Sequence, residues 1–190
     1  MPDDDVTAEM QQAIEEALAA AGYEHYEVSA YARQSVPRLT PHASLLTAPG
    51  GRCRHNLNYW TFGDYLGIGA GAHSKLSFPD RITRHARYKQ PKQYMESAAT
   101  GNAIQEQHDV SADEIGFEFM MNALRLNNGF PVVLFKERAG VPLTAVLKQL
   151  EQAEQKGLIA RDHQRIAPTA LGRRFLNDLL QIFLTEEKPA

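Results

Sequence analysis

The stretch CRHNLNYWTFGDYLGIGAGAHS, Cys53 to Ser74, concentrates the side chains best equipped for chemistry. It holds the only Cys and the only Trp of the chain, two of its seven His and four of its thirteen Gly. His55 offers an imidazole, Asn56 and Asn58 offer amides, and Tyr59 and Trp60 offer flat rings with a polar handle. Such a set can bind a planar aromatic ligand, with His55 ligating its metal and the rings stacking on its face. The same residue types also serve as ordinary core aromatics beside a hydrogen-bonded His. Cys53, two residues before His55, reads either as a soft metal ligand or as a small buried thiol.

The glycines that follow, GIGAGA from Gly67 to Ala72, satisfy a loose dinucleotide pattern. That fingerprint works only when a helix starts directly after it, so that the helix N-terminus meets the pyrophosphate. Here HSKLSFPD follows and starts no helix, so a nicotinamide site is not expected. The segment reads as a strand crowded by neighbouring backbone, or as a surface on which a flat ligand lies. Arg81, Arg84, Arg87, Lys89 and Lys92, around His85, form a basic run that is either solvated or holds carboxylates or phosphates.

Composition sets the class. The chain has 190 residues and a net charge of −3, enough for one medium domain or two small ones, with nothing global that calls for a polyanionic partner. No apolar run approaches a membrane span, and the N-terminal MPDDDVTAEM is acidic, unlike a signal peptide. One Cys excludes an internal disulfide framework and points to the cytoplasm. It also excludes a cysteine-ligated iron–sulfur cluster, which generally needs three or four thiolates.

These residues need elements to position them. Val6, Met10, Ile14, Ala17 and Leu18 recur at helical spacing up to Gly22, and YEHYEVSAYA then reads as a strand. A helix running promptly into a strand is half of a β/α repeat, entered part-way through an α/β domain. Residues 33–52 are rich in Pro, Gly, Ser and Thr and predict a long loop. A helix is predicted from about Pro91. Ser111 to Glu114 makes a capping box for the next helix. Further helices are expected around Val132 to Arg138 and from Leu143 to Lys156, then two short strands about Asp162-His163-Gln164 and a helix capped by Thr169. That order is the order of a winged helix. Its third helix carries two Lys against Glu151 and Glu154. Arg161, Arg165, Arg173 and Arg174 add charge in and after the wing, and nucleic acid is not the expected partner.

The segments GYEHYEVSAYA, CRHNLNYWTFGDYLGIGAGAHSKL, KQPKQYME and a tail with LEQAEQKGLIA, IAPTALG and FLND together resemble the C-terminal half of the HemW family. These are radical S-adenosylmethionine proteins related to oxygen-independent coproporphyrinogen III oxidase. The most specific motif is H-N-x-x-Y-W at His55 to Trp60, followed by the Gly/Ala segment.

The resemblance implies an α/β fold in two parts. Residues 1–104 would be the last part of a partial (β/α) radical-SAM barrel, with 33–52 a long loop, and residues 105–190 a winged-helix-like C-terminal domain. It implies heme binding at His55, Asn56, Tyr59 and Trp60, with His55 the candidate iron ligand, and a heme-chaperone role. Gly69, Ala70 and Gly71 would lie where the family closes around S-adenosylmethionine. The family's C-x-x-x-C-x-x-C motif for a [4Fe–4S] cluster is absent, so the chain reads as a fragment that does not carry out the cluster's chemistry alone. The partners implied are heme, a heme-acceptor protein or the missing N-terminal half, and self-association through uncovered strand edges. Two other readings remain open: an oxygen-independent coproporphyrinogen oxidase-type enzyme when complete, and a winged-helix protein- or DNA-docking module.

Overall fold

A computed structural model describes residues 3–33 and 51–184; most of the predicted loop at 33–52 lies outside the described residues. Helix α1, Asp4–Ala20, starts where the Asp3 carboxylate accepts the Val6 N–H at 2.9 Å. Its predicted apolar face does form, but Val6, Met10 and Ile14 are all exposed. Strand β1, Tyr23–Glu27, follows at once and pairs antiparallel with β2, Ala30–Arg33. The expected β/α repeat is therefore not seen. Ser29, at φ +78, turns the chain back within two residues, too short a connection for a parallel crossover.

Helix α2, Arg54–Trp60, carries the H-N-x-x-Y-W motif. The Gly/Ala segment is not a strand but an exposed loop, with Ile68 at its outer edge. It leads into β3, His73–Ser77, which pairs antiparallel with β4, Ile82–Arg87; after α3, Pro91–Ala99, strand β5, Ile104–Asp109, completes a sheet of order β3-β4-β5. All strand pairs among the described residues are antiparallel.

From Ser111 the reading and the structure agree closely. The Ser111 hydroxyl and Glu114 carboxylate satisfy each other's backbone N–H groups at the start of α4, Ala112–Ala123. A two-residue strand β6, Phe130–Pro131, precedes α5, Val132–Ala139, which ends at Gly140. The helix predicted from Leu143 opens instead as a 3-10 turn, Leu143–Val146, and continues as α6, Leu147–Gln155. Strands β7, Ile159–Arg161, and β8, Arg165–Pro168, form the predicted hairpin, and Asp162 accepts the N–H groups of Gln164 and Arg165 across its turn. Thr169 caps α7, Ala170–Arg174, and a break at Phe175 separates it from α8, Leu176–Gln181.

The core is built mainly from α4 onward. Phe119 is fully buried, and its ring meets those of Phe130 and Phe135 edge-on at 5.1 and 4.9 Å. Two earlier residues join this core, Phe62 and Ile82; the Phe62 ring meets Phe119 at 5.6 Å. Replacing Phe119 with Ala leaves a cavity where three rings converge and is expected to cost ~3–5 kcal/mol. Urea denaturation followed by circular dichroism measures it, and a loss below 1 kcal/mol would contradict this account of the core.

Candidate functional site

Seven residues make too short a helix to stand alone, so α2 depends on what grips it. Strand β1 holds its N-terminal end. The Tyr26 hydroxyl oxygen accepts the Cys53 N–H at 3.2 Å, and a Glu27 carboxylate oxygen accepts from the Asn56 amide at 3.0 Å. One strand turn earlier, Glu24 pairs with Arg52, whose hydrogen bond holds the Glu24 carboxyl below its ordinary pKa. Helical spacing then sorts the motif onto two neighbouring faces. Asn56 and Trp60 turn inward: Glu27 is 1% exposed, and the Arg125 guanidinium lies 5.0 Å from the centre of the Trp60 ring. His55 and Tyr59 turn the other way, with their rings edge to face at 4.7 Å. His55 is exposed and has no hydrogen-bond or ion-pair partner among the described residues.

The other end of α2 is held by a buried charge. Phe62, at φ +57, reverses the chain, and its carbonyl accepts from the Lys75 ammonium at 3.1 Å. Lys75 is 1% exposed; Asp64 and Ser77 accept its other two protons at 3.1 and 2.8 Å, and the ammonium lies 4.1 Å from the Phe62 ring centre. Burial pulls the Lys75 pKa below its ordinary value, and Asp64 works against that shift. For Asp64, partial burial pushes upward, but the hydroxyl and backbone N–H of Ser77 and the Lys75 ammonium together hold it below its ordinary 3.8. Asn58 donates to the Asp64 carbonyl and closes the turn.

Between α2, α4 and the β3-β4-β5 sheet lies a cleft of about 360 Å³. Tyr59 forms part of its wall, and Tyr65 stands against Tyr59 at 4.5 Å between ring centres. Arg84 crosses the cleft, donating to the Tyr65 hydroxyl at 2.8 Å and to Glu118 of α4. His73 and His108 also line it.

The other predicted residues disperse. Cys53 is exposed at the N-cap of α2, not a buried thiol. Within the Gly/Ala loop, Gly67 has a steric reason to be glycine, since a Cβ there would meet the His73 carbonyl oxygen at 2.1 Å. Gly69, at φ +107, has open space where a Cβ would stand; its N–H donates to the Tyr94 hydroxyl at 3.2 Å, and the Gly71 N–H donates to the Tyr88 carbonyl at 2.8 Å. Of the basic run, only Arg84 lines the cleft; Arg87 donates to the Gly67 carbonyl at 2.6 Å, Arg81 pairs with Asp80, and Lys89 and Lys92 are exposed. Sequence reasoning passed over Glu27, Tyr65, Lys75, His108 and Glu118. Their only signal is register: they matter because of the residues across from them.

No three His, Cys, Asp or Glu side chains gather as a metal site among the described residues. With one Cys in the chain, its residues do not fit an iron–sulfur cluster.

Comparison with known proteins first gives a class. A model of the HemN C-terminal domain matches residues 110–175. In fold the chain is similar to coproporphyrinogen III oxidase (HemN) from Escherichia coli, a radical SAM enzyme, with a TM-score of 0.63 at 17% identity over 96% of this chain and 42% of that one. The sequence relatives narrow this. The heme chaperone HemW of Escherichia coli is 39% identical over 98% of this chain, and that of Haemophilus influenzae is 39% identical over the same share. HemW of Mycobacterium tuberculosis is 30% identical over 96% of the chain. The chain spans about 44% of the length of the first two and 40% of the third. It belongs to the HemW-type family and corresponds to the C-terminal part of such proteins.

The Asp64–Lys75 contact has a pH signature. Because the folded pKa of Asp64 is below 3.8, its contribution to stability is complete above that pH and is lost as pH falls through the lowered value. Asp64→Asn is expected to lower stability at neutral pH, with the gap from the parent narrowing in acid. Urea midpoints across an acid-to-neutral pH series measure this; parallel curves for the two proteins would refute it.

Proposed function

We propose that this chain binds heme on the outer face of α2 and serves the heme-handling part of a HemW-type chaperone. One observation carries the reading. Of the four motif side chains, Asn56 and Trp60 are occupied in holding the helix, while His55 is exposed with an imidazole free to bind iron and a Tyr ring edge-on beside it. Neutral imidazole is a common heme ligand, and an aromatic ring favours a flat macrocycle. On this reading His55 is the iron ligand, Tyr59 the ring contact, and Asn56 and Trp60 the residues that keep both aimed outward. The names of the relatives, heme chaperone HemW, agree with it.

The expected domain division at residues 104 and 105 falls inside β5, Ile104–Asp109, so the boundary is better drawn after that strand, where α4 begins. The second part, with α4, α5, α6 and the β7-β8 hairpin in sequence, supports a winged-helix-like reading. The first part, 1–104, is read as the edge of a partial barrel on the strength of the HemN likeness, although its described strands pair only in antiparallel fashion. The loop with Gly69, Ala70 and Gly71 would offer a surface free of large side chains to the adenine of S-adenosylmethionine, which supplies a radical precursor when bound. The heme acceptor and the remainder of a HemW-type chain are the expected protein partners. No helix among the described residues is long and apolar enough to cross a membrane, and the cytoplasm is the expected location. A DNA-docking role loses support because Arg161 is tied to Glu154 and Arg165 to the Asn128 carbonyl.

Titrating the purified chain with hemin is expected to give a saturable Soret shift. His55→Ala should weaken binding by about tenfold or more, the effect of ~1.4 kcal/mol. An unchanged titration in the variant would remove His55 as the ligand, and no shift with the parent chain would remove the reading.

A further inference from the structure

The cleft beside Tyr59 breaks a rule of sheet construction. Lys75 of β3, Arg84 of β4 and His108 of β5 stand directly opposite one another, so three basic side chains run in a row across one face. Like charges in register destabilise a sheet. Such a local conflict is expected where function requires it. His73, two residues from Lys75 on the same face, adds a second imidazole. Lys75 is answered by Asp64 and Arg84 by Glu118, the one carboxylate that lines the cleft itself.

Arg84 also keeps donors without partners among the described residues. Arg84 uses three N–H groups on Glu118 and Tyr65, and a guanidinium carries five. The Tyr65 oxygen accepts from Arg84, which leaves its own O–H to donate, and the Tyr59 hydroxyl has no partner among the described residues. Arg84 N–H groups, two phenols and two imidazoles thus face a cleft bordered by aromatic rings. An anion with a flat apolar body fits that chemistry, because a carboxylate accepts from a guanidinium more strongly than a neutral oxygen does.

We propose that this cleft is a carboxylate subsite: it takes a propionate-bearing edge of the tetrapyrrole whose iron is bound at His55. Arg84 and Tyr65 hydrogen-bond the carboxylate, the His108 imidazole borders it, and Tyr59 is shared by the two sites. This rests on the heme reading and adds the point on the protein that fixes the orientation of the macrocycle.

The test compares hemin with its dimethyl ester, in which both carboxylates are blocked, on the full chain in one detergent-containing buffer. The parent chain is expected to bind the diester about tenfold or more weakly than hemin, and Arg84→Met should bring the two affinities together. His108→Gln, on an exposed position of β5, should reduce the same preference and serves if Arg84→Met does not fold. Equal affinity for hemin and diester, with the Soret shift still dependent on His55, would overturn the subsite and leave the heme reading standing. A preference for hemin that survives both Arg84→Met and His108→Gln would also overturn it. Failure of both ligands to bind would overturn the heme reading and the subsite together.

Discussion

The structure turns on Phe62 and the ammonium that sits against it. Phe62 takes a left-handed backbone conformation that non-glycine residues seldom adopt, at a cost of order 1–3 kcal/mol. Two things offset that strain. The ring is buried against Phe119 in the main core, and the carbonyl it turns inward accepts from Lys75. One residue therefore links α4, the end of α2 and strand β3. Without that joint the motif helix would have no fixed distance from the sheet, and there would be no cleft between them.

The two ends of α2 are secured by different physics. At the start, β1 supplies a hydroxyl oxygen and a buried carboxylate to the Cys53 N–H and the Asn56 amide. At the finish, a buried ammonium is satisfied by a carbonyl, a carboxylate and a hydroxyl. No residue of α2 itself is fully buried, and the apolar anchor at its finish is the neighbouring Phe62 ring. The four motif positions thus divide their labour by helical phase. The Asn56 and Trp60 face meets the polar seam formed by Glu27 and Arg125, and the face one residue away carries His55 and Tyr59 outward.

How much of this was legible from sequence depends on the kind of signal. Features written into neighbouring residues were readable: the Ser111–Glu114 capping box, the Asp162 turn and the Thr169 cap each need only three or four residues and one backbone geometry. The H-N-x-x-Y-W motif stood out by its residue types but not as a helix, because seven residues with two Asn give no apolar period. The β3-β4-β5 sheet was hidden for a related reason. ITRHAR and IQEQHD carry polar side chains on both faces, so alternation marks neither as a strand. The basic run read as either solvated or anion-holding, and only register separates Arg84, which lines the cleft, from Arg81 and Arg87, which do not. The β/α repeat misread a turn: Ser29 at positive φ folds the strand back where a glycine would have given the sign.

The way the chain divides its apolar surface bears on how the motif helix works. Nearly the whole buried cluster comes from residue 115 onward, with Phe62 and Ile82 the two earlier members. The β1-β2 hairpin joins this core largely through polar contacts: Val28 N–H to the Arg125 carbonyl, Asn127 N–H to the Tyr26 carbonyl, and the Asn127 amide to the His25 carbonyl. Helix α2 lies along that seam. Elements that bury little apolar area and rely on hydrogen bonds open at lower free energy than the core they border. On the proposed heme reading, a helix that takes up a large flat ligand and later gives it up would gain from that arrangement, because α2 itself has no fully buried residue while α4 and its partners stay packed. The same feature explains why the clasp residues Glu27 and Lys75 are buried and charged: where apolar contact is scarce, a few strong, directional bonds set the position of His55.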